Sequence, residues 1–346
     1  MRNNFVALKR LLISIVASVG LVMPVFAADS INITGAGATF PYPLYSKWFY
    51  TYHQRHPDIK FNYQSIGSGG GIQQILAKTV DFGASDAPMS DAELAKASGA
   101  LVHIPATLGA VVASYNVSGL GDLHLTGPVL ADIFLGKIRK WNDPAIAALN
   151  AGQSLPATDI FVAYRSDGSG TTHVFTDYLA KVSPEFKAQV GQGKAVKWPT
   201  GLGGKGNEGV AGLVKQTPGA IGYIELSYAI ENKLPYASLT NKAGEVVAPS
   251  IASVSAAALD LSAIPADYRT SITDSAAPGA YPISAFTYLL VYQNQGHPVK
   301  GKTVVDFLNW AITDGQKLAE PLHYAPLPEP LIERVKQTLL KITIAK

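Results

Sequence analysis

Short apolar runs alternate with segments of helical periodicity along most of this 346-residue chain. In the first third of the chain, the apolar runs predict strands at residues 30–34, 60–65 and 80–85. The helical spacing of Leu44, Tyr45, Trp48 and Tyr52 predicts a helix between the first two strands. A second helix is predicted at residues 71–78. Because strands that alternate with helices form a mostly parallel sheet, ligand-binding loops are expected where strands end and helices begin.

The alternation continues toward the C terminus. Further strands are predicted at residues 106–115, 160–164, 220–224 and 283–292. Further helices are predicted at residues 130–140, 172–181, 207–215, 304–319 and 331–342. Asn207 is expected to cap the helix that it begins. Residues 247–277 are rich in Ala, Ser and Asp with weak periodicity, so we expect irregular structure or a variable insertion there.

The first 27 residues have the pattern of a secretory signal peptide. Arg2, Lys9 and Arg10 precede an apolar run at residues 11–25, and a Val-Phe-Ala tripeptide places the expected cleavage after Ala27. The run is short for a membrane span, so an uncleaved anchor is the less favoured alternative. We therefore expect export to the periplasm and a mature chain of about 319 residues, a length that favours two domains.

Charge and cysteine content exclude several classes of function. The full chain carries 28 Lys and Arg residues against 25 Asp and Glu residues. Three of the basic residues lie in the predicted signal peptide, so the mature chain has a formal net charge of zero. The lack of a basic field argues against nucleic acid as a partner. The chain contains no cysteine, which excludes disulfides and thiolate chemistry.

Three loops rich in Gly, Ser and Thr follow predicted strands, at residues 35–40, 67–71 and 168–172. A loop of this kind before a helix directs unpaired N–H groups, hydroxyls and the positive end of the helix dipole at one point, which suits a tetrahedral oxyanion. One such loop is weak evidence, but three suggest that they converge on one anion. Since the net charge is zero, such a site depends on local dipoles and on Arg165.

The same segments resemble the periplasmic phosphate-binding proteins of Pst-type ABC transporters. The first matching block reads Thr-Gly-Ala-Gly-Ala-Thr-Phe-Pro, and the others follow in the expected order through essentially the whole mature chain. The blocks are residues 34–41, 67–71, 81–88, 133–138, 141–144, 165–171, 198–207 and 218–223.

The resemblance implies a two-domain α/β binding protein, with mixed, mostly parallel sheets flanked by helices, that closes on its ligand about a hinge. Residues 28–105 and 283–346 are expected to form a discontinuous first domain and residues 106–282 the second. Crossings between the domains are expected near residues 103–107 and 281–283. The implied ligand is inorganic phosphate. The implied partners are the membrane permease subunits of a phosphate ABC importer with its ATPase, and a monomer without cofactor or metal is expected.

The resemblance also implies which residues contact phosphate. They are Ala38, Thr39, Phe40, Ser68, Asp86, Arg165, Ser169, Gly170 and Thr171. Thr39, Phe40 and Ser68 lie where helices are predicted to start, so ordinary helix capping is the alternative role for them. The donors at residues 169–171 belong to the expected second domain, so they reach the anion only after closure.

Two charged side chains decide what the site accepts. The Arg165 guanidinium can clamp two phosphate oxygens; the alternative is a surface ion pair with Asp167, which we expect instead to orient Arg165. An ionised Asp86 only accepts hydrogen bonds, so it favours a phosphate that still carries a proton over fully ionised sulfate. The alternative for Asp86 is a carboxylate satisfied by backbone N–H groups in the turn before Pro88.

Two other functions remain open from the residues alone. A secreted phosphatase could use the same loops, but the sequence has no evident nucleophile with an aligned base, nor a two-metal cluster. The second alternative is a carrier of another tetrahedral oxyanion such as sulfate or molybdate, against which Asp86 argues. We therefore expect a binding protein and not an enzyme.

Overall fold

The computed structural model describes residues 30–346, so the predicted signal peptide and its cleavage after Ala27 lie outside the described residues. The strands are β1 Ile31–Gly37, β2 Ile59–Ser65, β3 Phe82–Ser85, β4 Leu101–Tyr115, β5 His124–Leu125, β6 Phe161–Arg165, β7 Leu202–Gly204, β8 Ala220–Glu225, β9 Ser238–Thr240, β10 Val246–Val247, β11 Ser284–Tyr292, β12 Asn294–Gln295 and β13 Thr343–Ile344.

The helices flank these strands. They are α1 Tyr42–Arg55, α2 Ser68–Leu76, α3 Asp91–Leu94, α4 Gly127–Phe134, α5 Pro144–Leu149, α6 Gly170–Val182, α7 Pro184–Gln189, α8 Gly206–Gln216, α9 Leu226–Glu231, α10 Ile251–Ala257, α11 Pro298–Ala311 and α12 Glu329–Leu339, with short 3-10 helices at Leu261–Ala263, Asp314–Leu318 and Glu320–Leu322. Within the described residues, no helix has both the length and the apolar character needed to cross a bilayer.

Eight strands form one mixed sheet in the order β2-β1-β3-β11-β4-β8-β6-β7. The first half of the sheet (β2, β1 and β3) is parallel, and so is the second half (β8, β6 and β7). β11 and β4 run antiparallel between the halves. The predicted α/β class with mostly parallel strands is confirmed.

β4 connects the two halves because it pairs with two different strands. Its 15 residues bond to β11 from Leu101 to Ala110 and to β8 from Val111 to Tyr115. The crossing predicted at residues 103–107 lies within β4, and the one predicted at residues 281–283 lies directly before β11.

Each half of the sheet has its own aromatic core. In the first half, Phe61 of β2 packs on Phe307 of α11 with ring centroids 4.5 Å apart. In the second half, Phe175 of α6 stacks on Tyr223 of β8 at 4.4 Å. Packed aromatic pairs stabilise by the area that they bury and by their ring geometry, so each half of the sheet has a packed core of its own.

The first Gly-rich loop differs from its prediction, because β1 extends to Gly37 and includes Gly35. A Cβ on Gly35 would lie 2.6 Å from a carbon of the Phe82 ring, and one on Gly37 would lie 2.8 Å from the Ala84 backbone N. Gly37 also has a φ of +146°, which a side chain disfavours. These glycines serve close strand packing, and the loop itself begins at Ala38.

Two other predictions are wrong in their extent. The helix predicted at residues 130–140 ends at Phe134, and Gly136 turns the chain with a φ of +72°. The segment 247–277 is not wholly irregular, since Ser250 forms a capping box at the start of α10. Arg334 of α12 donates to three main-chain carbonyls of that segment at 2.9–3.1 Å. The segment is therefore tied across to the C-terminal helix.

Candidate functional site

The first loop places Thr39 and Phe40 between β1 and α1, three and two residues before the first helical residue, Tyr42. Among the residues that the structure describes, no backbone oxygen or side chain accepts from the N–H of Thr39 or Phe40. The Phe40 ring is fully buried and tilted against Tyr324. Phe40 thus anchors the loop by its ring and leaves its N–H free.

Ala38 takes a different part in this loop. Its N–H donates to the Ala84 carbonyl at 3.0 Å, and its carbonyl accepts from the Tyr63 hydroxyl at 2.8 Å. The residue therefore has no free backbone donor. The geometry does not support the predicted direct contact of Ala38 with an anion by hydrogen bonding, although the residue fixes the turn that presents Thr39.

The second loop brings Ser68 to Asp86. Ser68 is the first residue of α2, while Gly67 takes the cap position with a φ of +85° and no side-chain cap. The Ser68 hydroxyl accepts from the Asp86 N–H at 3.2 Å and lies 3.4 Å from Asp86 Oδ2. The alternative that Ser68 serves as a helix cap is therefore wrong.

Asp86 follows β3 and is 3% exposed. Its carboxylate accepts from the Thr287 hydroxyl at 2.8 Å and, more weakly, from Ser68. Hydroxyls from two other segments therefore hold it, which argues against the alternative of a carboxylate satisfied by backbone N–H groups. Burial raises the pKa of Asp86 to about 7, although Thr287 and the charge of Arg165 oppose the shift.

The third loop joins β6 to α6. Ser169 is the helix cap, and its hydroxyl oxygen accepts from the Thr172 N–H at 3.0 Å, which leaves the hydroxyl hydrogen available. In residues 30–346, the N–H groups of Gly170 and Thr171 have no acceptor, as expected for the first turn of a helix. The start of α6 therefore offers unpaired N–H donors.

Arg165 ends β6 and forms a two-point ion pair with Asp167. Its Nε lies 2.8 Å from Oδ1 and its Nη2 lies 2.6 Å from Oδ2. The two side chains are 1% and 12% exposed, so the surface ion pair considered from sequence is wrong. Burial alone would raise the pKa of Asp167, but the Arg165 guanidinium and the Gly206 N–H lower it below its usual range. Asp167 thus fixes the direction of Arg165.

The three loops meet at one place between the sheet halves. A Cβ added to Gly170 would lie 2.5 Å from Asp86 Oδ2 and would also collide with the Ser68 hydroxyl. The Gly69 N–H donates to the Gly168 carbonyl at 2.8 Å. The second and third loops are therefore in close contact, and Asn207 joins the first loop to the third through Thr39 and Thr171. Convergence of all three loops on one anion stays a prediction.

Asn207 was predicted to cap a helix, and this is wrong. α8 has Lys205 at its cap position, and Asn207 is the second helical residue. Its side chain is fully buried and reaches both the first and the third loop, by hydrogen bonds to Thr39 and Thr171. The signal that could have found it is its position at the end of the matching block 198–207.

A second buried carboxyl lies behind the first loop. Glu225 ends β8, is fully buried, and accepts from the Ser227 N–H at 2.8 Å. The Tyr324 hydroxyl lies 3.1 Å from Glu225 and donates to the Phe40 carbonyl at 2.6 Å. Burial, with a smaller effect of the Asp86 charge, raises the pKa of Glu225 to about 8. Sequence reasoning missed this group because its members are far apart in the chain.

The described residues contain no evident metal site. Within residues 30–346 there is no group of three or more His, Asp or Glu side chains arranged to hold a metal ion. The charged side chains at the meeting point of the loops are those of Arg165, Asp167 and Asp86.

The profile of the PBP superfamily domain matches residues 25–315. The phosphate-binding protein PstS of Pasteurella multocida is 52% identical over 313 residues, covering 88% of this chain and 89% of the relative. The phosphate-binding protein PstS of Xylella fastidiosa is 49% identical over 310 residues, covering 89% of this chain and 84% of the relative.

The chain belongs to the PstS family of phosphate-binding proteins. Solved structures share its fold at lower identity. A high affinity periplasmic phosphate-binding protein solved with phosphate aligns with a TM-score of 0.71 at 23% identity, over 89% of this chain and 93% of that one. A phosphate binding protein from Stenotrophomonas maltophilia aligns at 0.70 and 21%, over 90% and 94%. The predicted family and the predicted fold are both confirmed.

Proposed function

We propose that this PstS-family chain captures inorganic phosphate where the three loops meet. The observation that carries the proposal is the convergence of unpaired donors from Thr39, Phe40, Gly170 and Thr171 beside the Arg165 guanidinium. Ser68 and Ser169 add hydroxyls at the same point. The names of the relatives, which are binding proteins and not enzymes, support capture without turnover.

Neutral donors are sufficient for useful affinity. A hydrogen bond to a charged group contributes about 1.5–3 kcal/mol net. Micromolar binding corresponds to about −8 kcal/mol, which a few such bonds supply. The zero net charge of the mature chain is therefore no obstacle to anion binding.

Asp86 gives the site its preference. Once ionised, the Asp86 carboxylate accepts a hydrogen bond from the protonated oxygen of phosphate and repels a fully ionised sulfate. Its burial makes that repulsion strong, because charges interact more strongly where water is excluded. The ligand is thus a phosphate that donates one hydrogen bond while it accepts all the others.

The two sheet halves act as two lobes, residues 28–105 with 283–346 and residues 106–282. Contacts between them support a closed arrangement. The Gly69 N–H bonds to the Gly168 carbonyl, and Lys194 pairs with Glu93 at 2.6 Å. The lobes move apart about β4 and the segment before β11 to admit the ligand, and binding energy offsets the cost of closure.

The remaining steps concern location and delivery. The chain is exported with cleavage after Ala27, works in the periplasm as a monomer, and delivers phosphate to the permease subunits of an ABC importer that its ATPase drives. The export signal at residues 1–27 and the family membership support this assignment.

The test is calorimetric titration of the purified chain with phosphate, with sulfate as competitor and a chromogenic phosphomonoester as substrate. We expect stoichiometric phosphate binding, no displacement by sulfate at equal concentration, and no hydrolysis of the ester. Displacement by equal sulfate would instead indicate a general oxyanion carrier. Sustained hydrolysis would indicate a phosphatase.

A further inference from the structure

Asn207 is an uncharged residue that lies where the loops of the two lobes meet. It is fully buried at the start of α8, between the loops of the two lobes. Its side-chain Nδ2 donates to Thr39 Oγ1 at 2.7 Å and to Thr171 Oγ1 at 3.3 Å. One amide group thus contacts a hydroxyl from each lobe.

The orientation of this amide is fixed by a third partner. The Asn207 Oδ1 accepts from the Glu225 N–H at 2.9 Å. A flipped amide would place its NH₂ group against this N–H donor, which is unfavourable. The Nδ2 hydrogens therefore point to the two threonine oxygens.

These contacts determine what the hydroxyls can do. A hydroxyl has one hydrogen to donate and two lone pairs. Thr39 Oγ1 accepts from both the backbone N–H of Asn207, at 3.2 Å, and its side chain. Thr171 Oγ1 accepts from Asn207 and from Arg165 Nη1, at 3.2 Å. With both oxygens saturated by donors, each hydroxyl hydrogen must go to another acceptor.

We propose that Asn207 is a positioning residue that makes the Thr39 and Thr171 hydroxyls donors only, so that both hydrogens go to the bound anion. This inference rests on the proposed function. It also favours Asp86 as the acceptor for a ligand proton, because two hydroxyls that cannot accept do not compete with it. Asn207 further links the lobes in the closed form through the two threonines.

The test is a double-mutant cycle on phosphate affinity. Asn207→Ala is made in the wild-type chain and in a Thr39→Val, Thr171→Val chain, whose side chains keep their shape but lose both hydroxyls. In the wild-type background we expect a loss of roughly 10- to 150-fold, the value of one hydrogen bond to a charged group. In the double-valine background the further loss is expected to be below about threefold, because no hydroxyl is left to orient.

Asn150→Ala is the matched control. Asn150 is a buried amide of the same lobe that bonds to the backbone of His124 and Ile146. Its replacement is expected to lower the melting temperature without changing phosphate affinity. An equal loss from Asn207→Ala in both backgrounds, or no loss in the wild-type background, would overturn the inference.

The wild-type chain gives a second measurement that does not depend on a variant's folding. In a neutron structure of its phosphate complex, we expect the deuterons of Thr39 and Thr171 to point at phosphate oxygens. A hydroxyl deuteron directed at Asn207 would overturn the inference. Absence of phosphate binding by the wild-type chain would overturn the proposed function as well, so the two failures are distinguishable.

Discussion

Gly170→Ala tests whether the second and third loops approach each other in the phosphate complex as closely as they do in this structure. A Cβ at this position would lie 2.5 Å from Asp86 Oδ2 and 2.7 Å from Asp86 Cβ. The Ser68 hydroxyl is closer still and an ordinary contact begins near 3.4 Å, so the two loops must separate by about 1 Å. The nearest atoms belong to Ser68 and Asp86 of the other lobe, so the substitution hinders closure and leaves the second lobe unstrained.

The magnitude follows from hydrogen-bond geometry. A bond at about 2.9 Å that lengthens by that amount is no longer a hydrogen bond. If the Gly170 and Thr171 N–H donors are lost, about 3–6 kcal/mol disappears. Phosphate affinity is then expected to fall by roughly 10²- to 10⁴-fold.

The assay is calorimetric phosphate titration beside a thermal melt without ligand. Gly212→Ala is the matched control, because Gly212 lies within α8 and an added Cβ meets no atom within 4 Å. The control is expected to bind like the wild-type chain and to be slightly more stable, since Ala favours helix over Gly. Phosphate binding by Gly170→Ala within about threefold of the wild-type value would refute this account of closure.

Four further predictions concern charged groups. Asp86→Asn is expected to weaken the preference for phosphate over sulfate more than phosphate affinity itself, and equal preference in both proteins would rule out the selective role of Asp86. Because burial raises the folded-state pKa of Asp86 from 3.8 to about 7, the stability linked to its proton is present below about pH 4 and is lost as the pH rises to about 7. In ligand-free denaturant unfolding, wild type is therefore expected to lose stability relative to Asp86→Asn over that range, by at most about 4 kcal/mol because opening of the lobes exposes Asp86 to water. Parallel pH profiles would contradict the assignment. Arg165→Lys removes the two-point ion pair and leaves the Asp167 carboxylate with fewer hydrogen bonds, so the free energy of unfolding should fall by about 1–3 kcal/mol. An unchanged midpoint of denaturant unfolding would argue against this role of Arg165. Lys194→Ala removes the partly exposed ion pair with Glu93, so phosphate affinity measured by titration should fall by less than about fivefold. A loss of affinity of more than about tenfold would mean that this ion pair does more than assist closure.

The local sequence pattern was sufficient to predict the strands and helices that carry the site. The apolar runs before residues 35–40 and 168–172 are strands, and a helix follows each loop. Such features depend on neighbours in sequence, because unpaired N–H groups arise wherever a helix begins. The ends of elements were less predictable, as β1 shows: its last glycines pack against Phe82 and Ala84 of a neighbouring strand.

The contacts that orient the site could not be predicted locally. Thr287 reaches Asp86 from 201 residues away, and Asn207 reaches Thr39 from 168 residues away. Asn is a common helix cap, so the local rule gave Asn207 the wrong role. Ala38 was expected to contact the anion, but its N–H donates to the Ala84 carbonyl.

The central claim is that one anion, still carrying a proton, is held by donors of both lobes. A high-resolution crystal structure of the chain with phosphate tests it most directly. The account predicts phosphate oxygens within hydrogen-bond distance of Phe40, Ser68, Arg165 and Thr171, and one oxygen about 2.5–3.0 Å from the Asp86 carboxylate. A phosphate bound to one lobe only, or with no oxygen near Asp86, would contradict it.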